Sequence, residues 1–298
     1  MSSGPNIFDR RLLRVRQRRA RLLTPATFLL DRVAADLGER LSAVLRKFDV
    51  AMDLGTPSDA VRRVLATNEN IGAVVAAGLA DDDASLRVAV DEESLPFAEG
   101  SLDLVVSALA LQFVNDLPGT LIQIRRALRP DGLLLAAMIG GDTLTELRSS
   151  FAAAESEIEG GVSPRVAPFA DIRELGGLLQ RAGFALPVVD SERLAVRYNS
   201  ALALMRDLRR MGATNILHER LRKPLKRSTL ERVTAIYADR FADPDGRIRA
   251  TFEIIWMSGW APHQSQQKPL KPGSATQRLA DALGTTELPS GEKPERAR

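Results

Sequence analysis

Residues 50–59 read VAMDLGTPSD: an apolar run, then Asp53-Leu54-Gly55, then a turn that opens into a helix. An apolar strand that ends in an acid and a glycine and passes into a helix is the start of an α/β domain whose sheet holds its ligand at the carboxyl ends of the strands. A full cradle places glycines at fixed spacing, one for the turn, one so that backbone can approach the ligand, one for helix packing. Counting D-x-G-x-G-x-G from Asp53, only Gly55 is present; the two later positions hold Pro57 and Asp59. The stretch therefore sets two expectations, an α/β fold and an altered ligand loop.

The altered loop has a reading of its own. Thr56 suits an N-cap, Pro57 the first helical position where a missing N–H costs nothing, and Asp59 the third, beside the positive helix end. Backbone donors capped in this way are lost to an anionic ligand group. Asp59 would also set a negative charge near a ligand carboxylate. Two like charges about 4 Å apart repel by roughly 4 kcal/mol at an effective dielectric near 20.

Working outward, strand patterns fall at residues 50–54, 73–77, 102–108 and 133–139, several of them continuously apolar, as strands covered on both faces must be. Helical patterns at 60–66 and 117–128 alternate with them, the second ending at the turn Arg129-Pro130-Asp131-Gly132. Gly140-Gly141-Asp142 precedes a helix at 143–157, a loop covers 160–168, a helix at 171–182 closes at Gly183, and 185–189 reads as a strand. Helices at 200–211 and 229–239 form an inserted lobe, and the turn Asp243-Pro244-Asp245-Gly246 leads into a strand at 251–256, expected to return antiparallel by a hairpin. The order is that of an α/β protein with a doubly wound, mostly parallel sheet. Residues 1–48 read as an N-terminal helical extension, 49–260 as the α/β domain with its helical insertion at about 199–240, and 261–298 as a polar, partly disordered tail with a short helical pattern at 275–283.

With 45% hydrophobic and 27% charged residues, the 298-residue chain is expected to be soluble and globular, and its longest apolar run, 133–139, is too short to span a membrane. The absence of cysteine excludes disulfides, thiolate nucleophiles and cysteine-ligated zinc or iron-sulfur sites. His218 and His263 lack metal-ligand spacing, so no metal site is expected. The net charge of +3 is concentrated in RRLLRVRQRRAR, Arg10–Arg21, a basic amphipathic helix extended by a second helical pattern at 29–47. That helix could dock its leucines on the domain, meet anionic lipid or an acidic protein, or bind nucleic acid; the last lacks base-stacking aromatics, and no nucleic-acid partner is expected. Asp9 and the short polar lead are atypical of an organelle presequence.

The strand, the Asp53-Leu54-Gly55 loop, Leu95-Pro96-Phe97, the strand from Leu102 to Ser107 and Leu128-Arg129-Pro130-Asp131-Gly132 stand in the order of the class I S-adenosylmethionine-dependent methyltransferases, which the chain resembles. Asn6-Ile7-Phe8-Asp9-Arg10, Val114-Asn115-Asp116-Leu117-Pro118, Gly140-Gly141-Asp142-Thr143-Leu144, Glu146-Leu147-Arg148, Gly160-Gly161-Val162-Ser163-Pro164 and Gly273-Ser274-Ala275-Thr276 narrow the resemblance. They are similar to the mitochondrial complex I assembly factor 5 group and its bacterial relatives over nearly the whole chain. The resemblance implies a seven-stranded sheet with an antiparallel last strand and a role in maturing respiratory complex I. The client would be a complex I subunit, modified by hydroxylation of an arginine. It also implies a cytoplasmic or matrix-side location, with the basic helix a candidate for peripheral membrane contact. The cousins of this group include the malonyl-acyl-carrier-protein methyltransferase of biotin synthesis. A methyl transferase, an arginine-modifying enzyme and a non-catalytic assembly chaperone all remain open.

The resemblance also implies S-adenosyl-L-methionine as cofactor and a set of residues for it: Asp53, Gly55, Asp91, Glu92 and Ser107. Asp53 would orient the loop and Gly55 give backbone approach, while Asp91 or Glu92, just before Leu95-Pro96, would meet the adenine amino group. The acid that takes the ribose hydroxyls is displaced from the second strand, which ends Ala76-Ala77-Gly78, to Asp81, Asp82 or Asp83 if it is kept. Pro57 and Asp59 imply weak cofactor binding. Asp142 is the catalytic candidate, to contact an arginine or a metal, with helix capping beside Thr143 as the alternative.

Overall fold

The computed structural model describes residues 6–78, 86–267, 281, 284 and 285. Helices α1 (Arg10–Arg21) and α2 (Phe28–Ser42) precede β1 (Phe48–Leu54), α3 (Ala60–Leu65), β2 (Ile71–Gly78) and the short β3 (Arg87–Ala89). Then come β4 (Leu102–Ala108), a 3-10 turn (Leu111–Phe113), α4 (Leu117–Ala127), β5 (Leu128–Ile139), α5 (Thr145–Glu159), α6 (Ile172–Arg181) and β6 (Ala185–Tyr198). Helices α7 (Ala201–Arg210) and α8 (Arg227–Phe241) lead to the last strand, β7 (Ile248–Trp260). The strands form one seven-stranded sheet in the order β3-β2-β1-β4-β5-β7-β6, parallel except for β7, which runs antiparallel between β5 and β6. All these elements fall in one compact unit, Met1–His263.

The continuously apolar strands have a direct explanation. Along β5, Leu133, Leu135, Ala137 and Ile139 enter the core on one face of the sheet, and Leu134, Ala136 and Met138 the core on the other. Two buried faces leave no room for polar alternation. The first core is closed by α2, α3, α5, α7 and α8, the second by α4 and α6. Helix α2 therefore belongs to the main core, through Leu29, Leu30, Val33 and Leu37. A small satellite cluster of Phe8, Leu13, Ile216 and Leu217 fastens the N-terminus to the segment after α7.

Several expectations need correction. Strand β5 starts at Leu128 rather than 133: the Arg129-Pro130-Asp131-Gly132 segment is a bulge within it, with Leu102 opposite Leu128, Leu104 opposite Leu133 and Asp131 at φ +68°. Strand β3 was not expected, being three residues long with no apolar run. Strand β7 does not return from a hairpin; β6 and β7 are joined through α7 and α8, and the Asp243–Gly246 turn only reverses the chain between α8 and β7. The helical pattern at 275–283 and the end of the tail lie almost wholly outside the described residues.

Candidate functional site

At the end of β1 the Asp53 side chain is buried, accepting a hydrogen bond from Arg62 Nη1 at 2.9 Å and another from the Thr56 hydroxyl. Thr56 Oγ1 in turn accepts from the backbone N–H of Ala108 at 3.2 Å, and Ser107 Oγ donates to the Leu54 carbonyl at 2.7 Å. The loop is thus tied to β4, and Asp53 and Ser107 both spend hydrogen bonds on holding it. The expected cap is also different: α3 starts at Ala60 with Asp59 in the cap position, and Thr56 turns inward to Asp53 instead. Its oxygen accepts from the Ala108 N–H in place of a helix N–H, while its hydrogen goes to Asp53.

Gly55 sits at φ +72°, and a Cβ there would lie 2.8 Å from Glu92 Oε1 and 3.0 Å from Ala110 Cβ. Across the loop, a Cβ on Gly78 at the end of β2 would stand 3.7 Å from Gly55 Cα. The acid facing this cradle is therefore Glu92, arriving from the segment after β3. Asp81, Asp82 and Asp83 lie outside the described residues.

Over the cradle lies α1. Arg10 pairs with Glu92, with Asp91 at 3.0 Å and with Glu93 at 3.0 Å; Arg14 pairs with Asp91 at 2.6 Å. Burial works against the Arg10 proton, but the three carboxylates outweigh it and hold the guanidinium above its ordinary pKa. The helix is anchored at its start by Asp9, whose side chain accepts from the Leu12 N–H at 3.0 Å and from Arg220 at 3.1 Å. The first of these holds the Asp9 carboxyl below its ordinary value, burial opposes it, and Arg220 adds to it. Asn115 Oδ1 accepts from Phe8 N–H, and Asn115 N–H donates to Glu93. Two motifs more than a hundred residues apart thus meet in one corner. Of the readings open for the basic helix, the docked one describes Arg10, Leu13 and Arg14; Arg11, Arg18 and Arg21 stay exposed.

Two cavities open here. The first, about 370 Å³, lies between Gly55, Pro57, Gly78, Glu92 and Phe113 on one side and the arginine face of α1 on the other. Asp59 is not among its lining residues. Asp59 lines the second cavity, about 650 Å³, whose walls are mainly apolar, among them Leu109, Leu144, Phe151, Met205 and Phe252. Gln17, Arg21, Pro57 and Phe113 line both. Gln112, which the sequence reading passed over, also lines the second; a polar residue inside the apolar run Ala108-Leu109-Ala110-Leu111 to Val114 was the available signal.

Asp142 lines neither cavity. Its carboxylate pairs with Arg193 on β6, and its N–H donates to Glu253 Oε2 at 2.9 Å. Helix α5 begins after Leu144, at φ +56°, so Asp142 does not cap it. His218 belongs to the N-terminal corner through its backbone N–H on the Ile7 carbonyl, and His263 stands 3.9 Å from Asp131. Among the described residues no group of three or more His, Asp or Glu is placed to hold a metal.

Comparison with known proteins agrees with this architecture. Residues 52–136 match the family described as Methyltransferase domain. The chain is 38% identical over 301 residues to the mitochondrial arginine-hydroxylase NDUFAF5 of Danio rerio, covering 97% of this chain and 93% of that one. It is 42% identical over 186 residues to the malonyl-[acyl-carrier protein] O-methyltransferase of Laribacter hongkongensis, covering 62% of this chain and 60% of that one. Among solved structures, the YcgJ protein of Bacillus subtilis superposes with a TM-score of 0.51 at 14% identity, over 76% of this chain and 98% of that one, a likeness of fold.

Proposed function

The chain belongs to the NDUFAF5 arginine-hydroxylase family of methyltransferase-domain proteins, and from that premise we propose that it matures respiratory complex I by hydroxylating an arginine of a client subunit. The observation that carries this reading is the correspondence with the family over 97% of the chain, which takes in the N-terminal corner and the helical insert as well as the sheet. Two adjoining cavities, the first lined by Glu92 and the arginines of α1 and the second mainly by apolar side chains, support it, because they give a small cofactor and a protein side chain separate places with a common wall at Pro57 and Phe113. Hydroxylation replaces a C–H bond by C–OH; with dioxygen as oxidant, a two-electron reductant and two protons convert the second oxygen atom to water.

The cofactor that the family implies is S-adenosylmethionine, and the first cavity fits it. The cradle at Gly55 is closed to any Cβ, the volume is within the range of small-molecule sites, and an acid and a cationic helix face one another across it. Gly55 and Glu92 would hold its sugar and base, and the arginines of α1 its carboxylate. Bound there, it supplies a sulfonium-activated methyl group. Asp53 and Ser107 are assigned to holding the loop, Asp91 to holding α1, and Asp142 to the Arg193 contact rather than to chemistry. The protein is assigned to the cytoplasm, or the matrix side in an organelle; no described helix is long and apolar enough to cross a membrane.

Methyl transfer is the second reading, favoured by the retained Gly55–Glu92 cradle. Mass spectrometry of complex I subunits from a deletion strain separates the readings. Loss of an oxygen-sized mass from an arginine supports the hydroxylase, loss of a methyl-sized mass the methyltransferase. Unchanged modification with failed assembly would leave a chaperone. Titration of the purified protein with S-adenosylmethionine tests the cofactor independently.

A further inference from the structure

Gln112 sits on the 3-10 turn after β4, where Leu109 at φ +53° bends the chain away from the sheet. Its side chain is 94% buried by its 6% exposure, and Nε2 donates to the Leu109 carbonyl at 2.7 Å. That bond fixes the amide: turned over, it would set Oε1 against a carbonyl oxygen. Oε1 is thus an acceptor without a donor, on a residue that lines the larger cavity. Buried acceptors are normally satisfied, so an exception leaves room for an incoming donor. Thr214 Oγ1, on the same wall, is likewise buried and without a partner. The charges around the chamber are uneven. Arg165 is paired with Glu155 at 2.5 Å, Arg210 donates to the Thr24 carbonyl and Asp207, the exposed Arg21 stands on the wall shared with the first cavity, and the Asp59 carboxylate is half exposed with Arg63 3.8 Å away.

We propose that Gln112 is the specificity residue of this chamber: its Oε1 accepts an N–H of the client's guanidinium, and the apolar walls take bulky apolar residues that flank this arginine in the client chain. This rests on the arginine reading above and names the sequence that reading would act on. An unpartnered acceptor on a residue of the cavity wall selects donors, and guanidinium carries five N–H groups and no acceptor. A carboxylate or phosphate oxygen would meet Oε1 acceptor to acceptor. The flanking residues follow from size. About 650 Å³ is the liquid share of roughly twenty waters, against the seven heavy atoms of one arginine side chain, and the remaining wall is apolar. Gln112 is a binding residue here; it moves no proton.

The test uses the full chain and two synthetic decapeptides, identical except for a central arginine or norleucine between leucines, with binding followed by fluorescence anisotropy. The unmodified protein should prefer the arginine peptide by at least about tenfold, the value of a charge-assisted hydrogen bond. Gln112→Leu should erase that preference while leaving norleucine affinity unchanged or higher, and Gln112→Glu should keep or widen it. Equal loss of both peptides in Gln112→Leu, or no preference in the unmodified protein, overturns the proposal. Failure of the function reading shows separately: if the deletion strain keeps its arginine modification, the hydroxylase reading falls whatever Gln112 binds. If the modification is lost in the deletion strain but kept in a Gln112→Leu strain, the reading stands and the role of Gln112 falls.

Discussion

The two cavities lie side by side at the carboxyl ends of the parallel strands and are built by opposite means. The smaller is made of fixed charges and backbone torsion: a glycine at φ +72°, an acid against it, and a helix held down by four arginine–carboxylate contacts. The larger is made of packing, with apolar residues from α2, the turn after β4, β5, α5, α7 and β7 around a few polar atoms. Charges held by partners define one shape and one ligand. Apolar walls tolerate many shapes, and selectivity there falls to the few groups left unsatisfied. A constant cofactor and a variable client call for that division.

The division can be broken most sharply at Gly55. A β-branched residue cannot hold φ +72° without strain and would also press on Glu92 and Ala110. Gly55→Val should weaken S-adenosylmethionine binding by at least about a hundredfold, near 3 kcal/mol, while leaving peptide binding in the larger cavity within about twofold. Calorimetric titration of both ligands checks it, and parallel losses would show that the cavities are one site. Arg10→Gln comes next, since it leaves three carboxylates without their shared cation. A loss of about 2 kcal/mol in chemical denaturation is expected, with α1 opened to limited proteolysis. If α1 stays protected, its leucines rather than its charges hold it.

A smaller effect comes from pH. The folded Asp9 carboxyl lies below its ordinary value of 3.8, so its contribution to docking α1 is complete above about pH 4 and is lost as the pH falls through the folded value. Hydrogen exchange at Leu12 and Leu13 should therefore quicken at acid pH before the core does, and Asp9→Asn should flatten that response. Smallest of all is Asp142→Asn. The Arg193 pair is exposed on both sides, so a stability change within about 0.5 kcal/mol is expected, with the client arginine still modified. Loss of modification in a folded variant would return Asp142 to the chemistry.

How much of this was legible in the sequence follows from the range of each interaction. Asp53-Leu54-Gly55 and the doubled apolar strands revealed the sheet because burial on two faces writes itself into consecutive residues. The local pattern at Thr56 favours a helix cap, whereas the donor its oxygen takes is the Ala108 N–H, 52 residues away and invisible to that pattern. Arg10 and Arg14 could be seen as basic, but their destination at Asp91, Glu92 and Glu93 is about eighty residues away and leaves no periodic trace. Gln112 hid for the opposite reason. It sits within an apolar run where a single polar residue reads as noise, and its meaning depends on which of its two ends is spoken for.

The long pairing of β6 with β7 has a consequence for how this family could diversify. Tyr198 lies opposite Ile248, so residues 199–247 leave the sheet and rejoin it at neighbouring points. A segment carried between adjacent ends can grow or shrink at little entropic penalty, about 0.6 kcal/mol for each doubling of length in a flexible loop. The packed part of this insert is held more tightly: Leu204, Val233 and Tyr237 belong to the first core, and Ile216 and Leu217 grip Phe8 and Leu13 at the start of α1. A change of client would therefore fall on Met205, Leu208 and Met211, which line the larger cavity, within a frame that both cavities share.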